Sequence, residues 1–183
     1  MEFKNSNQCI KLNLPLEGTA DVLTPVLQEM KKWIQDTADK PESGGYIVGY
    51  THENSRNISL EQISHPFLFD ERNRVRFKMK DPRHKLFLIK MARRQSYYMG
   101  VWHTHPQADP APSSIDWNDW RKTLGVDSPA GRYMFFVIVG TERIRFWVGD
   151  TLDGSISEIY ECPKDDSGLY KTLENTTGGA DYA

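Results

Sequence analysis

The chain has 183 residues, 38% of them hydrophobic, with 23 Lys and Arg side chains against 25 Asp and Glu. This length suits one well-buried domain and is short for two. The net charge of -2 and the lack of an apolar run of about 18 residues give no reason to expect nucleic acid or a membrane as a partner.

The first predicted element is a helix over residues 24–40, which Pro41 ends. Strands follow over residues 45–51, 57–64 and 74–79. The basic run from Arg72 to Lys80 is expected to be a solvated face. A second helix follows Asp81 and ends near Gln95. Its residues available for burial are Leu86, Phe87, Ile89, Met91 and Ala92.

The second half of the chain continues the alternation of strands and helices. An aromatic and apolar strand over residues 97–103 precedes a helix that begins near Ser113. The remaining strands are expected over residues 133–140, 143–149 and 155–162, and the first two read as a hairpin. The sum is an α/β (α+β) fold, in which helices pack on a mixed sheet.

The two ends carry little chemistry. The segment from Met1 to Ser6 does not lead into the hydrophobic region of a signal peptide, so we expect a cytoplasmic protein. Cys9 and Cys162 have no metal-binding spacing, and we expect ordinary thiols. From Pro163 the composition becomes polar, which predicts one domain over residues 1–162 and a tail over residues 163–183.

One segment, residues 103–116, contains the clearest chemistry. His103 and His105 lie two apart at the end of a predicted strand, so their imidazoles point to the same face. A proline-containing loop leads to a helix start at Ser113, which places the Asp116 carboxylate in a first turn facing the imidazoles. Two imidazoles and one carboxylate suit Zn²⁺ and leave its fourth tetrahedral position for water. The spacing therefore predicts one catalytic zinc ion per chain.

Other interpretations use the same residues. A His-x-His pair also occurs on strands by chance. Ser113 and Asp116 also fit an ordinary capping box, in which both side chains satisfy amides of the first helical turn and bind no metal. The zinc prediction depends on both halves occurring together with the loop that joins them.

The stretch His103-x-His105-Pro106-x6-Ser113-x-x-Asp116 resembles the signature of the JAMM (MPN+) zinc isopeptidases. It is most similar to the bacterial JAB branch, some of whose members are deconjugating peptidases of CBASS anti-phage operons. The resemblance covers about residues 20–160 and implies a JAB/MPN-like single domain with a curved mixed sheet flanked by helices. It also implies that His103, His105 and Asp116 are the zinc ligands and that Ser113 helps to stabilise the tetrahedral oxyanion.

The family pattern includes an upstream glutamate before a Gly-rich strand start, and Glu42-Ser43-Gly44-Gly45 matches it. By resemblance Glu42 is the general base that acts on water at the metal, a role that requires a pKa tuned toward the working pH. The alternative for Glu42 is a solvated loop acid that follows Pro41. With Glu42 the signature is complete, which in this family is typical of active enzymes.

The resulting hypothesis is a zinc-dependent isopeptidase that hydrolyses the amide between a protein C-terminus and a target amine. By resemblance its partner is a conjugated protein of the ubiquitin-like or CD-NTase type with an extended C-terminal tail. The polar end of this chain, with Gly178-Gly179, is expected to be a mobile end, and the alternative is that it imitates the C-terminal tail of a conjugated substrate. The competing hypotheses are a zinc hydrolase of a small-molecule or carrier-protein adduct and a partner-binding MPN module without catalysis. A nucleoside deaminase is not expected, because the His-x-Glu and Pro-Cys-x-x-Cys sequence motifs of that enzyme class are missing.

Overall fold

A mixed sheet with helices on both faces forms the centre of the computed structural model, which describes residues 9–171. In this range the strands are β1 (Ile10–Asn13), β2 (Thr19–Val22), β3 (Gly44–Thr51), β4 (Ile58–Ile63), β5 (Glu71–Asn73), β6 (Arg76–Lys78), β7 (Tyr97–Thr104), β8 (Tyr133–Val139), β9 (Ile144–Asp150) and β10 (Ile156–Ile159). The helices are α1 (Thr24–Lys32), α2 (Arg83–Ala92) and α3 (Ser114–Val126). The predicted fold class, a mixed sheet flanked by helices, is confirmed.

The main sheet has the strand order β1-β2-β4-β3-β7-β8-β9-β10, and β5 pairs with β6 in a separate hairpin. Neighbouring strands are antiparallel except for the pairs β2–β4 and β7–β8, which are parallel. Parallel strands need a crossover connection, and α3 lies in the one between β7 and β8. This topology puts the end of β7 in the middle of the sheet, directly before the loop that leads into α3.

Strand β8 shows how the two faces of the sheet are buried. All seven of its residues are buried, and alternate side chains point to opposite faces. Phe135 and Val137 join the core that contains residues of α1, whereas Met134 and Phe136 join a second cluster with Trp120 of α3. The helices α1 and α3 therefore cover opposite faces of one sheet.

The first helix ends earlier than predicted. It ends at Lys32, eight residues before the predicted end, so Pro41 does not terminate it. The cause is Gln35, which is only 3% exposed and donates its side-chain amide to the carbonyls of Lys40 (3.2 Å) and Arg74 (3.0 Å). A buried amide needs such partners, and these lie outside a continued helix.

Two further predictions need correction. The strand predicted over residues 74–79 is the shorter β6, which pairs with β5, a strand that the sequence pattern did not predict. In α2, Met91 is buried as expected, but Leu86 and Ile89 are 60% and 53% exposed. The buried face of α2 instead includes His84, whose hydrogen bonds to Ser64 (2.9 Å) and Asp70 (2.8 Å) satisfy its ring.

The chain ends are described only in part. Strands β1 and β2 were not predicted, and the start of the predicted tail returns toward β1, where the Tyr170 hydroxyl donates to the carbonyl of Cys9 (3.3 Å). Met1 to Ser6 and Gly178-Gly179 lie outside the described residues, and the division at residue 162 stays a prediction. Within residues 9–171, no helix has the length and apolar character needed to span a membrane.

Candidate metal centre

The two histidines of the predicted site lie side by side at the end of β7. Their Nε2 atoms are 3.1 Å apart, as expected for residues on one face of a strand. His103 is in register with Gly44 of β3 and with Ile138 of β8. The amide of His105 donates to the carbonyl of Val139 (2.9 Å). Pairing on both sides of β7 therefore holds two nitrogen donors at one point.

Asp116 reaches the same point from the first turn of α3. Its Oδ1 lies 3.1 Å from Nε2 of His103, and its Oδ2 lies 3.5 Å from Nε2 of His105. The same carboxylate accepts a hydrogen bond from the Ser113 amide (2.6 Å), while Ser113 Oγ accepts one from the Asp116 amide (3.2 Å). This pair is a capping box. Asp116 thus caps the helix and faces the imidazoles at once, so the two interpretations of the motif are compatible.

The spacing of the three side chains fits a single zinc ion. Tetrahedral zinc with ligand bonds of about 2.0–2.1 Å keeps its ligands about 3.3 Å from one another. The observed separations are 3.1 Å between the imidazole nitrogens, and 3.1 and 3.5 Å from these nitrogens to the Asp116 oxygens. Nitrogen and carboxylate donors also suit zinc chemically. These residues could therefore hold one Zn²⁺ and leave a fourth position for another ligand.

Burial and hydrogen bonding favour the protonation states that a metal needs. Burial lowers the pKa of His105, and the neighbouring His103 lowers it further against the opposing charge of Asp116, which favours the neutral imidazole. Burial alone would raise the pKa of Asp116, but hydrogen bonds from His103 and Ser113 outweigh it and hold this pKa well below its usual range. The ring of Trp120, 6.4 Å from that of His103, packs beside the site.

Glu42 lies directly before β3, beside the histidines. Its carboxylate is within 4.8 Å of a ring nitrogen of both His103 and His105. Glu42 is only 7% exposed, which excludes the alternative of a solvated loop acid. Burial raises the pKa of Glu42 to about 7, although the charge of His103 works in the opposite direction. A carboxyl with this pKa can accept and return a proton near neutral pH.

The segment that carries Glu42 is tied to the strand that carries the histidines. Ser43 donates its amide to Thr104 Oγ1 (2.9 Å), and Thr104 donates its amide to the Ser43 carbonyl (2.8 Å). Thr104 Oγ1 then donates to the buried Gln35 (3.0 Å). At Gly44 a Cβ would lie 2.5 Å from a carbonyl oxygen of β7, so only glycine fits. Neither Thr104 nor Gln35 was found from the sequence, because a single Thr or Gln carries no local signal.

A groove of about 460 Å³ runs past the site between the β5–β6 hairpin and α3. This volume is in the range of roughly 300–1,000 Å³ that is usual for ligand pockets. Ser113 lines the groove, and because its Oγ acts as an acceptor in the cap, the hydroxyl hydrogen stays available to donate. The walls include Arg76, Phe77, Lys78, Ile115, Asp119 and Thr123.

Arg72, in the predicted basic surface, contacts the segment that carries Glu42. Arg72 is half-buried, and its Nε donates to the carbonyl of Glu42 (2.9 Å). The expectation of a solvated face is therefore wrong for Arg72. It is right for three other cations of the run, which are exposed: Arg74, Lys78 and Lys80.

Comparison with known proteins places the chain in a family. Residues 24–149 match the family described as prokaryotic homologs of the JAB domain. The chain belongs to this family. A relative from Escherichia coli (strain TW11681), named CD-NTase/cGAS isopeptidase, is 27% identical over 141 residues, which are 75% of this chain and 85% of that protein.

A second relative of this JAB domain has the same name. It comes from Vibrio cholerae serotype O1 and is 32% identical over 112 residues, which are 60% of this chain and 67% of that protein. Among solved structures, the fold is similar to that of protein DSY2949 from Desulfitobacterium hafniense. The TM-score is 0.52 with 19% identity, over 75% of this chain and 87% of that one. These findings confirm the predicted resemblance to bacterial JAB proteins.

Proposed function

We propose that this JAB domain is a zinc-dependent isopeptidase that hydrolyses the amide between the C-terminus of a CD-NTase-type protein and a target amine. The observation that carries the proposal is the convergence of two imidazoles and one carboxylate within 3.5 Å of one another, with the buried Glu42 beside them. The substrate class is inferred from relatives named CD-NTase/cGAS isopeptidase.

Each residue of the site has a role in this reaction. His103, His105 and Asp116 hold the metal. When bound, zinc supplies Lewis acidity toward the scissile carbonyl and acidifies a water molecule. Glu42 removes a proton from the attacking water and delivers it to the leaving amine nitrogen, so the C–N bond breaks to give a free amine and a carboxylic acid, which then ionises to the carboxylate. In the metal-free site the pKa of Glu42 is about 7, and the charge of a bound ion would lower it, so that Glu42 starts the reaction as the carboxylate base.

Ser113 acts on the oxygen of the scissile carbonyl. Negative charge develops there as water adds, and a hydroxyl that donates to it stabilises the transition state. The capping box holds Ser113 at the edge of the groove with its hydroxyl hydrogen available. Removal of one such donor costs about 2.7–4 kcal/mol in measured cases. Ser113 is thus a donor and not a nucleophile.

The groove supports a protein tail as the substrate. It passes the metal ligands between two walls, one from the β5–β6 hairpin and one from α3. An extended chain, which rises about 3.3 Å per residue, can lie along such a groove with a carbonyl at the metal. A folded domain cannot enter it. We therefore infer that the conjugated partner presents an extended C-terminal segment.

A defined conjugate tests this function. A bacterial CD-NTase joined through its C-terminal carboxyl to a lysine side chain is incubated with the zinc-loaded chain, and mass spectrometry identifies the released carboxylate. We expect cleavage at the isopeptide bond by the unmodified chain and by Glu53→Gln, an exposed control. We expect loss of cleavage in the isosteric Glu42→Gln and in His105→Ala.

The outcomes separate the competing hypotheses. Cleavage of small amides with no cleavage of the conjugate would favour a hydrolase of small-molecule or carrier-protein adducts. Absence of bound zinc together with tight binding of the intact conjugate would favour a partner-binding module. Equal turnover by the unmodified chain and by Glu42→Gln would contradict the role of Glu42.

A further inference from the structure

The β5–β6 hairpin contacts the segment of Glu42 through one guanidinium group. Arg72 donates from Nε to the carbonyl of Glu42 (2.9 Å) and from Nη2 to the carbonyl of Pro41 (3.4 Å). Its Nη2 also donates to Oγ of Ser43. Three consecutive residues around Glu42 are therefore held by a single side chain of β5.

Asn73, the next residue of the hairpin, binds the backbone amide of Glu42. The Glu42 amide donates to the carbonyl of Asn73 (2.8 Å). Both the amide and the carbonyl of Glu42 thus hydrogen bond to the hairpin, one to Asn73 and one from Arg72. Hydrogen bonds to β7 begin at the following residue, Ser43, through Thr104. The backbone groups of Glu42 itself are held by the hairpin.

The Arg72 side chain is itself restrained. Its guanidinium lies over the ring of Trp33, 5.4 Å from the centroid, and Trp33 stacks on His65 with ring centroids 5.7 Å apart. The guanidinium is planar and presents its donors in a rigid fork, so it can hold several acceptors in one geometry. A lysine at this position has a single ammonium on a flexible chain and cannot reproduce that arrangement.

The hairpin is anchored at its base and lines the groove at its far strand. The buried carboxylate of Asp70 accepts hydrogen bonds from the amides of Lys80 (2.9 Å) and Asp81 (3.0 Å) and so closes the hairpin. Residues 75–79 line the groove. One small element thus contacts the space that a substrate would occupy and also the backbone of Glu42.

We propose that Arg72 is a positioning residue, which fixes the carboxylate of Glu42 relative to the histidines. The proposal rests on the proposed function, because it assigns Arg72 a part in that reaction. Arg72 does not line the groove, so its effect runs through the Glu42 backbone. A displacement of about 1 Å in a catalytic group can cost about 100-fold in rate.

The test compares Arg72→Ala and Arg72→Lys with Arg74→Ala. Arg74 lies on the same hairpin, is exposed, and contributes only its backbone carbonyl to Gln35, which alanine preserves. For Arg72→Ala we expect kcat to fall about 10- to 100-fold with KM nearly unchanged, and the bound zinc to stay at the level of the unmodified chain. We expect Arg72→Lys to restore only part of kcat, and Arg74→Ala to equal the unmodified chain.

A second measurement does not depend on turnover. Hydrogen exchange followed on a peptide that covers residues 41–45 should be about tenfold faster at the Glu42 amide in Arg72→Ala, as expected for the loss of a supporting hydrogen bond. An unchanged exchange rate, or an unchanged kcat in a folded Arg72→Ala, would overturn the proposal. If Arg72→Ala does not fold, the same two criteria apply to Arg72→Lys. An inactive unmodified chain would count against the proposed function, and the exchange measurement would still decide whether Arg72 holds the Glu42 backbone in place.

Discussion

Replacement of Glu42 by glutamine is expected to stabilise the metal-free protein while it abolishes hydrolysis. Glutamine has nearly the same shape as glutamate but carries no charge. Glu42 is 7% exposed, and burial raises its pKa from 4.5 to about 7. The folded protein therefore holds the charged form of this side chain less favourably than the unfolded chain does.

The size of the effect follows from the pKa. One pKa unit corresponds to 1.36 kcal/mol, so the change from 4.5 to about 7 corresponds to about 3 kcal/mol. The pKa of Glu42 is higher in the folded protein than in the unfolded chain. The stability contributed by its protonated form is therefore complete below pH 4.5 and is lost as the pH rises through about 7. Above that pH, the ionised Glu42 costs the folded protein about 3 kcal/mol, and the uncharged side chain of the variant Glu42→Gln does not carry this cost.

Urea denaturation with a chelator present measures this difference. The free energies of unfolding of the unmodified chain and of Glu42→Gln are compared at pH of about 5 and of about 8.5. Other titrating groups are common to both proteins and largely cancel in the comparison. We expect the relative stability of Glu42→Gln to rise by roughly 2–3 kcal/mol between the two pH values. If the free energies of unfolding of the two proteins differ by the same amount at both pH values, the argument that burial raises the pKa of Glu42 is refuted.

Three further predictions concern other parts of the site and its support. His105→Ala should reduce bound zinc well below one ion per chain in metal analysis and abolish hydrolysis; full zinc occupancy would show that His105 is not a ligand. Ser113→Ala should lower kcat about 100-fold, because a donor to the oxyanion is lost. It should also lower the free energy of unfolding by about 1 kcal/mol, because the helix cap is lost. Lower stability with unchanged kcat would show that Ser113 acts only as a helix cap. Asp70→Asn replaces one oxygen of a buried carboxylate, which accepts hydrogen bonds from three amides and from His84, with an NH2 group that cannot accept, and it should destabilise the fold by about 1–3 kcal/mol. Burial alone would raise the pKa of Asp70, but its hydrogen bonds lower it. The deficit of Asp70→Asn should therefore shrink as the pH falls through that lowered pKa, and urea denaturation that shows the deficit growing in acid would contradict this.

The convergence of the proposed ligands could be predicted because local rules determine most of it. Strand alternation puts His103 and His105 on one face, and a capping box turns Asp116 back toward the strand. Both are short-range effects that residue types reveal. Glu42 could be placed only by resemblance, because its position depends on the pairing of β3 with β7.

The parts that were missed depend on contacts between distant segments. The early end of α1 reflects the bonds of Gln35 to residues 40, 74 and 104, the last two of which lie far along the chain. Arg72 looks like a surface residue in its own segment, since its partners are around Glu42 and Trp33. Apolar spacing in α2 likewise did not reveal that Leu86 and Ile89 face outward. Side-chain contacts of high sequence separation leave no periodic signal.

The shared role of the Asp116 carboxylate has a consequence for metal exchange. The Ser113 amide and the strand ladders already hold the three donor groups together, so the chain loses little side-chain conformational entropy when an ion arrives. The coordination preferences of the divalent ions then determine which of them binds. Ions that prefer nitrogen and oxygen donors, as zinc does, are expected to compete for the site formed by His103, His105 and Asp116. Buried hydrophobic residues pack on both faces of the sheet, so we expect this domain to stay folded after an ion is removed, in contrast to small domains that unfold when chelated.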